Sequence, residues 1–303
     1  KKQAFFPEGS QILPNNHGTA PGAIVQKDGI TLIILPGPPF EMEPMFDQSV
    51  WPVLDRIAQA DKMRMYVRVI KVFGLGESDL ERELKDLMGL RNPSMTLLAK
   101  HSEMHIRLVA RGEAQAAKEA LAKSEEQICK CLGEKVFGKN KETMIGLVGQ
   151  GLKNHQMTIA TAESCTGGML GAILSQEPGS SEFFLGGVVS YSNTLKEKFL
   201  GVNPETLDDY GAVSAETARE MAVGIRNSAN SDLGVSITGI AGPGGGSKEK
   251  PVGLVYIGLA SPEGVEASKF QFHGGRDSIR QLSVQAALDW VRRYMLEFER
   301  RKQ

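Results

Sequence analysis

The chain has 303 residues, 41% of them hydrophobic and 23% charged, with a net charge of −1; this is ordinary composition for a globular fold of more than one domain. The near-zero charge excludes a global electrostatic pull toward nucleic acid or an anionic membrane, and the lack of an apolar run of roughly 18 residues excludes a membrane-spanning helix. Three cysteines, Cys129, Cys131 and Cys165, form neither a disulfide framework nor a zinc-binding pair, which fits a reducing cytoplasm. The opening Lys1-Lys2-Gln3-Ala4 lacks the apolar stretch of a signal peptide.

In chain order, Ala23–Gln26 and Ile30–Leu35 read as strands flanking Lys27-Asp28-Gly29, and Asp-Gly between such runs predicts a hairpin. The turn-rich segment Pro14 to Gly22 precedes them; a helix from about Phe40 to Ala58 follows Pro36-Gly37-Pro38-Pro39. Two strands and a helix form a thin core for residues 1–63, which implies that they belong to a larger unit or pack on a neighbour.

Residues 64–138 read as a second unit. Tyr66–Phe73 predicts a strand. Glu77–Met88 predicts an amphipathic helix, with Leu80, Leu84 and Leu87 on one side and Ser78 as cap. Ser94–Ala99 and Glu103–Ala110 predict two strands, Glu113–Leu132 a helix, and Lys135–Phe137 a last short strand. This β-α-β-β-α-β order is that of a small α+β layer, a class that includes RNA-binding KH modules. Two features weigh against nucleic acid: the loop reads Gly74-Leu75-Gly76-Glu77 instead of Gly-x-x-Gly, and the net charge over 62–138 is only +3. Cys129 and Cys131, two apart on a helix, face different sides and read as packing residues.

Residues 139–303 carry the chemistry. A helix over 141–154 leads to Met157-Thr158-Ile159-Ala160-Thr161-Ala162-Glu163-Ser164-Cys165-Thr166-Gly167-Gly168, which reads as strand, sharp turn and helix, the helix covering 164–176. Ser164 and Cys165 then stand at a helix entrance, where unpartnered backbone N–H groups favour a phosphate or a developing oxyanion. A cap by Ser164 or Thr166 is the simpler explanation of the same residues. Further strands are predicted over 183–190, 233–238, 254–260 and 267–272, the last two as antiparallel partners. Helices are predicted over 194–200, 215–228, opened by Ser214-Ala215-Glu216-Thr217, and 276–300. Strands alternating with helices imply an α/β fold, a three-layer α/β/α sandwich on a mixed sheet.

Three loops of this unit follow strands, and strand carboxyl ends gather ligand sites in open α/β sheets. The first offers Ser164 and Cys165 as nucleophiles and Cys165 to Gly167 as backbone donors to an oxyanion. The second, Tyr191-Ser192-Asn193-Thr194-Leu195-Lys196, offers a phenol and an amine. The third, Thr238-Gly239-Ile240-Ala241-Gly242-Pro243-Gly244-Gly245-Gly246, lets backbone N–H groups approach a ligand. Arg276 supplies a guanidinium at the last helix entrance, suited to a phosphate or carboxylate. A histidine base is weakly supported, since only His155 and His273 lie here and His155 sits in a polar, solvated stretch. Lys196 serves as the base if burial lowers its pKa, with Tyr191 orienting it or relaying the proton; otherwise it is a solvated helix lysine beside Glu197 and Lys198.

Four ordered motifs resemble the CinA family of competence/damage-inducible proteins: Ala162-Glu163-Ser164-Cys165-Thr166-Gly167-Gly168, Tyr191-Ser192-Asn193 with Lys196, Gly211-Ala212-Val213-Ser214, and Thr238 to Gly245. Upstream, Gly18-Thr19-Ala20-Pro21-Gly22 and Leu35-Pro36-Gly37-Pro38-Pro39 resemble the end of that family's molybdopterin-binding-like N-terminal domain, and residues 64–138 its KH-like middle domain. The resemblance implies that residues 139–303 hydrolyse the carboxamide of nicotinamide mononucleotide (NMN), giving nicotinate mononucleotide and ammonia. It implies Ser164 as nucleophile and Tyr191 and Lys196 as proton-handling partners. Substrate binding then falls to Cys165, Thr166, Gly167, Gly168, Asn193, Thr238, Gly239, Ala241, Gly242, Pro243, Gly244 and Arg276, without metal or cofactor. Most of the family's first domain lies outside the sequence, so the pyrophosphatase activity attributed to that domain type is not expected. A homodimer or larger assembly is expected, with no membrane or nucleic-acid partner. The alternative is a nucleotide-binding interaction protein of competence or DNA-damage responses that turns nothing over.

Overall fold

A computed structural model describes residues 5–60, 64–100 and 102–302; the Lys1–Ala4 opening lies outside these. The chain forms two compact units, residues 1–66 with 110–120, and residues 67–109 with 121–303. No helix among the described residues is long and apolar enough to cross a membrane.

In the first unit, β1 (Gln11–Leu13), β2 (Gly22–Lys27) and β3 (Ile30–Ile34) form an antiparallel sheet in that order. Asp28 and Gly29 both take positive φ, 52° and 77°, which gives the two-residue turn its hairpin twist. The predicted helix over 40–58 is interrupted. It runs as α1 (Pro39–Met45), a π-helical turn over Phe46–Val50, and α2 (Trp51–Ala60). Pro44 and Pro52, which cannot donate to the helical ladder, flank that turn. Leu13, Ile24, Met45 and Val50 make the small core.

The KH-like layer is the sheet β5-β6-β4-β7, built from β4 (Arg64–Val72), β5 (Ser94–Lys100), β6 (Glu103–Gly112) and β7 (Val136–Lys139). Its helices are α3 (Glu77–Glu83), α4 (Lys85–Met88) and α5 (Ala114–Leu132). The single helix expected over 77–88 breaks at Leu84, which leaves helical geometry at φ −107°, ψ 14°. Ser78 does not cap it: extended Gly76 is the cap residue, and Ser78 falls inside the first turn.

The remaining elements are α6 (Met144–Asn154), β8 (Ile159–Glu163), α7 (Met169–Gln176), β9 (Phe184–Val189), α8 (Asn193–Leu200), α9 (Pro204–Tyr210), α10 (Ala215–Ala229), β10 (Leu233–Gly239), β11 (Leu254–Ser261), β12 (Gly264–Gln271) and α11 (Arg276–Lys302). Sequence reading missed α9, although Asn203 caps it and Pro204 opens it, both strong start signals. The mixed sheet has the order β12-β11-β10-β8-β9, with β8 parallel to both neighbours and β10, β11 and β12 antiparallel in turn.

The strand β8, between β10 and β9, is buried throughout and works with period two. Ile159 joins the core with Val148 and Leu152 of α6, Leu170 and Leu174 of α7, and Val284 and Leu288 of α11. Ala160 and Ala162 join the opposite core with Leu200 of α8, Leu207 of α9 and Met221 and Ile225 of α10. The result is the expected three-layer sandwich. At Gly224, α10 meets α8 so closely that a Cβ would lie 1.8 Å from the Leu200 carbonyl oxygen, so the contact admits glycine alone.

Candidate active site

Because β8, β9 and β10 are parallel, their carboxyl ends lie at one edge of the sheet. Ser164, Ser190 and Ile240 leave the three strands there. β12 runs in the same sense as β10, through two antiparallel steps, so it too delivers the chain to this edge, where α11 begins at Arg276.

Ser164 is half-buried and lies in a bend, tied to the sheet by its N–H donating to the Ile237 carbonyl at 2.9 Å. The helix expected to begin at Ser164 begins at Met169 instead. A turn over Cys165–Gly168 intervenes, and Gly167 and Gly168 hold φ of 61° and 90°, which side-chain-bearing residues rarely adopt. The turn is closed by the Gly167 N–H donating to the Ser164 carbonyl at 3.0 Å. Arg280, one turn into α11, donates through Nη2 to the Thr166 carbonyl at 2.8 Å.

The expected anion site at the entrance of this helix is already filled. The carboxylate of Glu163 accepts the N–H groups of Leu170 at 3.0 Å and Gly171 at 2.8 Å. With the Gly167 amide also engaged, only the Cys165 and Thr166 amides of the expected oxyanion donors give no bond to a backbone carbonyl.

Lys196 is 1% exposed, which rules out the solvated helix lysine. Ser192 caps α8, accepting from the Leu195 N–H, and so sets the helix phase that turns Lys196 and Leu200 inward together. Nζ donates to the Ser190 carbonyl at 2.8 Å and to Ser164 Oγ at 3.3 Å. No carboxylate among the described residues pairs with it. Burial therefore pushes the Lys196 pKa below its ordinary value, against a smaller opposing pull from the Cys165 thiol. The buried hydroxyls of Thr166 and Ser190 have no hydrogen-bond partner among the described residues.

Tyr191 departs from expectation. It is 61% exposed, and its hydroxyl accepts from Arg276 Nη2 at 3.2 Å, with no bond to Lys196. Arg276 Nη1 also donates to the Gly242 carbonyl at 2.7 Å, so the guanidinium ties the second loop to the third. In that third loop Thr238 is buried and donates to the Ala212 carbonyl, Ala241 and Gly242 are buried, and Pro243 and Gly244 are exposed. Asn193 is exposed at the start of α8.

Cys165 is buried, and burial pushes its thiol up to about 11. His155 precedes β8, at the far edge of the sheet, and packs edge-on against Phe298 instead of standing in solvent. A cavity of about 390 Å³ beside the β11–β12 turn, lined by Glu263, Trp290, Arg293 and Tyr294 among others, is also remote from Ser164.

Sequence reasoning missed Glu163, Ser190 and Arg280. A carboxylate closing a buried strand of otherwise apolar or small residues was the available signal for Glu163. An arginine one helical turn after Arg276 was the signal for Arg280. Nothing in the sequence singled out Ser190, whose contribution is a backbone carbonyl.

Residues 141–295 match the family model of the CinA C-terminal domain, and residues 67–138 match that of the damage-inducible protein CinA KH domain. Similar full-length relatives carry the name competence-damage inducible protein. One from Caldanaerobacter subterraneus is 48% identical over 97% of this chain and 71% of its own length; one from Caldicellulosiruptor bescii is 44% identical over 98% and 72%. Among solved structures, the competence/damage inducible protein CihA from Agrobacterium tumefaciens is 39% identical, covers 49% of this chain and 93% of its own, and superposes with a TM-score of 0.48.

Proposed function

This chain belongs to the CinA family of competence/damage-inducible proteins, and from that premise we propose that residues 139–303 hydrolyse the carboxamide of NMN to nicotinate mononucleotide and ammonia. The carrying observation is the buried Lys196 amine, 3.3 Å from the Ser164 hydroxyl and without a carboxylate partner. A serine needs a base as it attacks, and a lysine becomes one when burial disfavours its charge.

In this reading the neutral Lys196 amine accepts the Ser164 proton while Oγ bonds to the carboxamide carbon. The ammonium then returns that proton to the departing nitrogen, which leaves as ammonia. Water, deprotonated by the same amine, cleaves the ester and restores Ser164. The Cys165 and Thr166 amides stand nearest in sequence to the developing oxyanion and are its proposed donors. Tyr191, held by Arg276 at the exposed rim, is assigned to substrate binding with Asn193 and the 238–244 loop rather than to proton transfer.

The same reading keeps the division into 1–63, 64–138 and 139–303, and expects a homodimer or larger assembly. Ammonia release from NMN, with the product identified by mass, tests it. Release by wild type and its loss in Ser164→Ala is the expected result; an active Ser164→Ala would remove the serine, and NMN unchanged by folded wild type would remove the substrate.

A further inference from the structure

We propose that Glu163 is a positioning residue for the Ser164 nucleophile, an inference that rests on the reading of Ser164 just given. Glu163 is 1% exposed and closes a strand of otherwise apolar or small residues. A buried carboxylate costs several kcal/mol unless something satisfies it, and no cation among the described residues pairs with this one. Its two oxygens are instead each taken by a backbone N–H of the first turn of α7, Oε2 by Leu170 and Oε1 by Gly171.

That turn has no other cap. The residue at the cap position is Gly168, which has no side chain to offer, and neither the Ser164 nor the Thr166 hydroxyl accepts from an α7 N–H, the Met169 N–H going to the Thr166 carbonyl at 3.3 Å. Glu163 therefore reaches across the whole nucleophile turn and pins its far end to the residue from which it starts. Between the two fixed ends lie only Ser164, the four turn residues and Met169.

The backbone of Glu163 ties in the base as well. Its carbonyl accepts the Ser190 N–H at 2.8 Å, and the Ser190 carbonyl in turn accepts Lys196 Nζ at 2.8 Å. One residue thus connects by short hydrogen bonds to the turn that carries the hydroxyl and to the seat of the amine. Both oxygens must accept for this to hold. Glutamine keeps the shape but offers one acceptor and turns an NH₂ group toward a backbone donor. A second consequence is that the positive end of α7 is spent on Glu163, so an oxyanion must be met by the turn amides instead.

Glu163→Gln and Glu163→Ala should be compared with wild type at a temperature where circular dichroism shows each one folded. We expect the glutamine variant to lose about ten- to a hundredfold in kcat, the range that a misplacement near 1 Å produces, with KM within about threefold. A substrate-independent readout runs beside it: the rate at which a fluorophosphonate labels Ser164, followed by intact mass, should fall about tenfold or more as the hydroxyl leaves its aligned position. Should the alanine variant not fold, the glutamine variant decides alone. Wild type that is labelled but leaves NMN intact would remove the substrate reading, and the labelling ratio would still decide Glu163. A folded glutamine variant that labels Ser164 within twofold of wild type would overturn the positioning role.

Discussion

Two lysines of the second unit have pKa values displaced in opposite directions. Lys139, at the end of β7, is ion-paired with Glu125 of α5, which also takes Arg68 of β4. The hydrogen bond that Lys139 donates to Glu125 holds the Lys139 pKa above its ordinary value, outweighing the pull of burial. Burial alone would raise the Glu125 carboxyl, yet Lys139 and Arg68 together bring it below its usual range. Lys196 is far more deeply buried and meets only neutral oxygens, so burial wins and its pKa falls. The contrast teaches that a hydrogen bond to a lysine says little about its charge; the charge of the acceptor decides. The stability slopes follow with opposite sign. Lys139, raised above 10.5, contributes in full below that pH and loses its contribution as pH climbs through its folded value. Lys196, lowered from 10.5, costs stability at neutral pH, and the cost fades as pH rises from its folded value toward 10.5.

The sharpest break between the two is activity. Ser164→Ala and Lys196→Ala should each lose about a hundredfold or more in ammonia release, as for a missing nucleophile or base, whereas Lys139→Ala should stay within about twofold. Equal losses at both lysines would end the comparison. Cys165→Ala should retain activity within about tenfold, or on the order of 1.4 kcal/mol in the barrier, since its buried, protonated thiol packs into the core below the turn. The pH profile comes next: kcat/KM should rise as Lys196 loses its proton, with a midpoint below 10.5. A midpoint at or above 10.5 would contradict a depressed amine. Lys196→Met should raise Tm at neutral pH by on the order of 2–4 °C for each kcal/mol of relieved burial cost, with the gain shrinking toward alkaline pH; a lower Tm at neutral pH would refute it. Smallest of all, Lys139→Ala should cost less than about 1 kcal/mol in denaturant unfolding, because a half-exposed pair is well screened.

Legibility followed the range of the forces involved. Strand runs, the Asp28-Gly29 turn and the cap at Ser214 are local signals; the turn gave the hairpin of the first unit, and the strand runs with the Ser214 cap led to the three layers of residues 139–303. Bringing Ser164, Tyr191 and Lys196 to one sheet edge was also readable, since parallel strands deliver their following loops together. Whether Lys196 was a base or a solvated residue could not be read, because that depends on how α10 and α8 pack over it. The start of α7 was misplaced for a related reason. Ser164 and Thr166 are good caps by residue type, but a glutamate on the neighbouring strand caps that helix across the turn, and no local pattern encodes such a bond. Tyr191 was paired with Lys196 because both follow the same strand, while the side chain that engages it, Arg276, comes from α11, far along the chain.

The contact at Gly224 has an implication for how variation in this protein would be read. The residue touches nothing reactive, yet it sets how near α10 comes to the end of the helix that carries Lys196. Any larger side chain must push α8 outward, and as Lys196 is drawn toward water burial weighs less on its pKa, which moves back toward its ordinary value. A library of random variants screened for lost deamidation should therefore mark position 224 as though it lined the pocket. A screen for folding should mark it as well, since any side chain there meets the Leu200 backbone, and activity measured on the folded fraction of those variants would map the mechanical support of the amine without a single substitution in the active site.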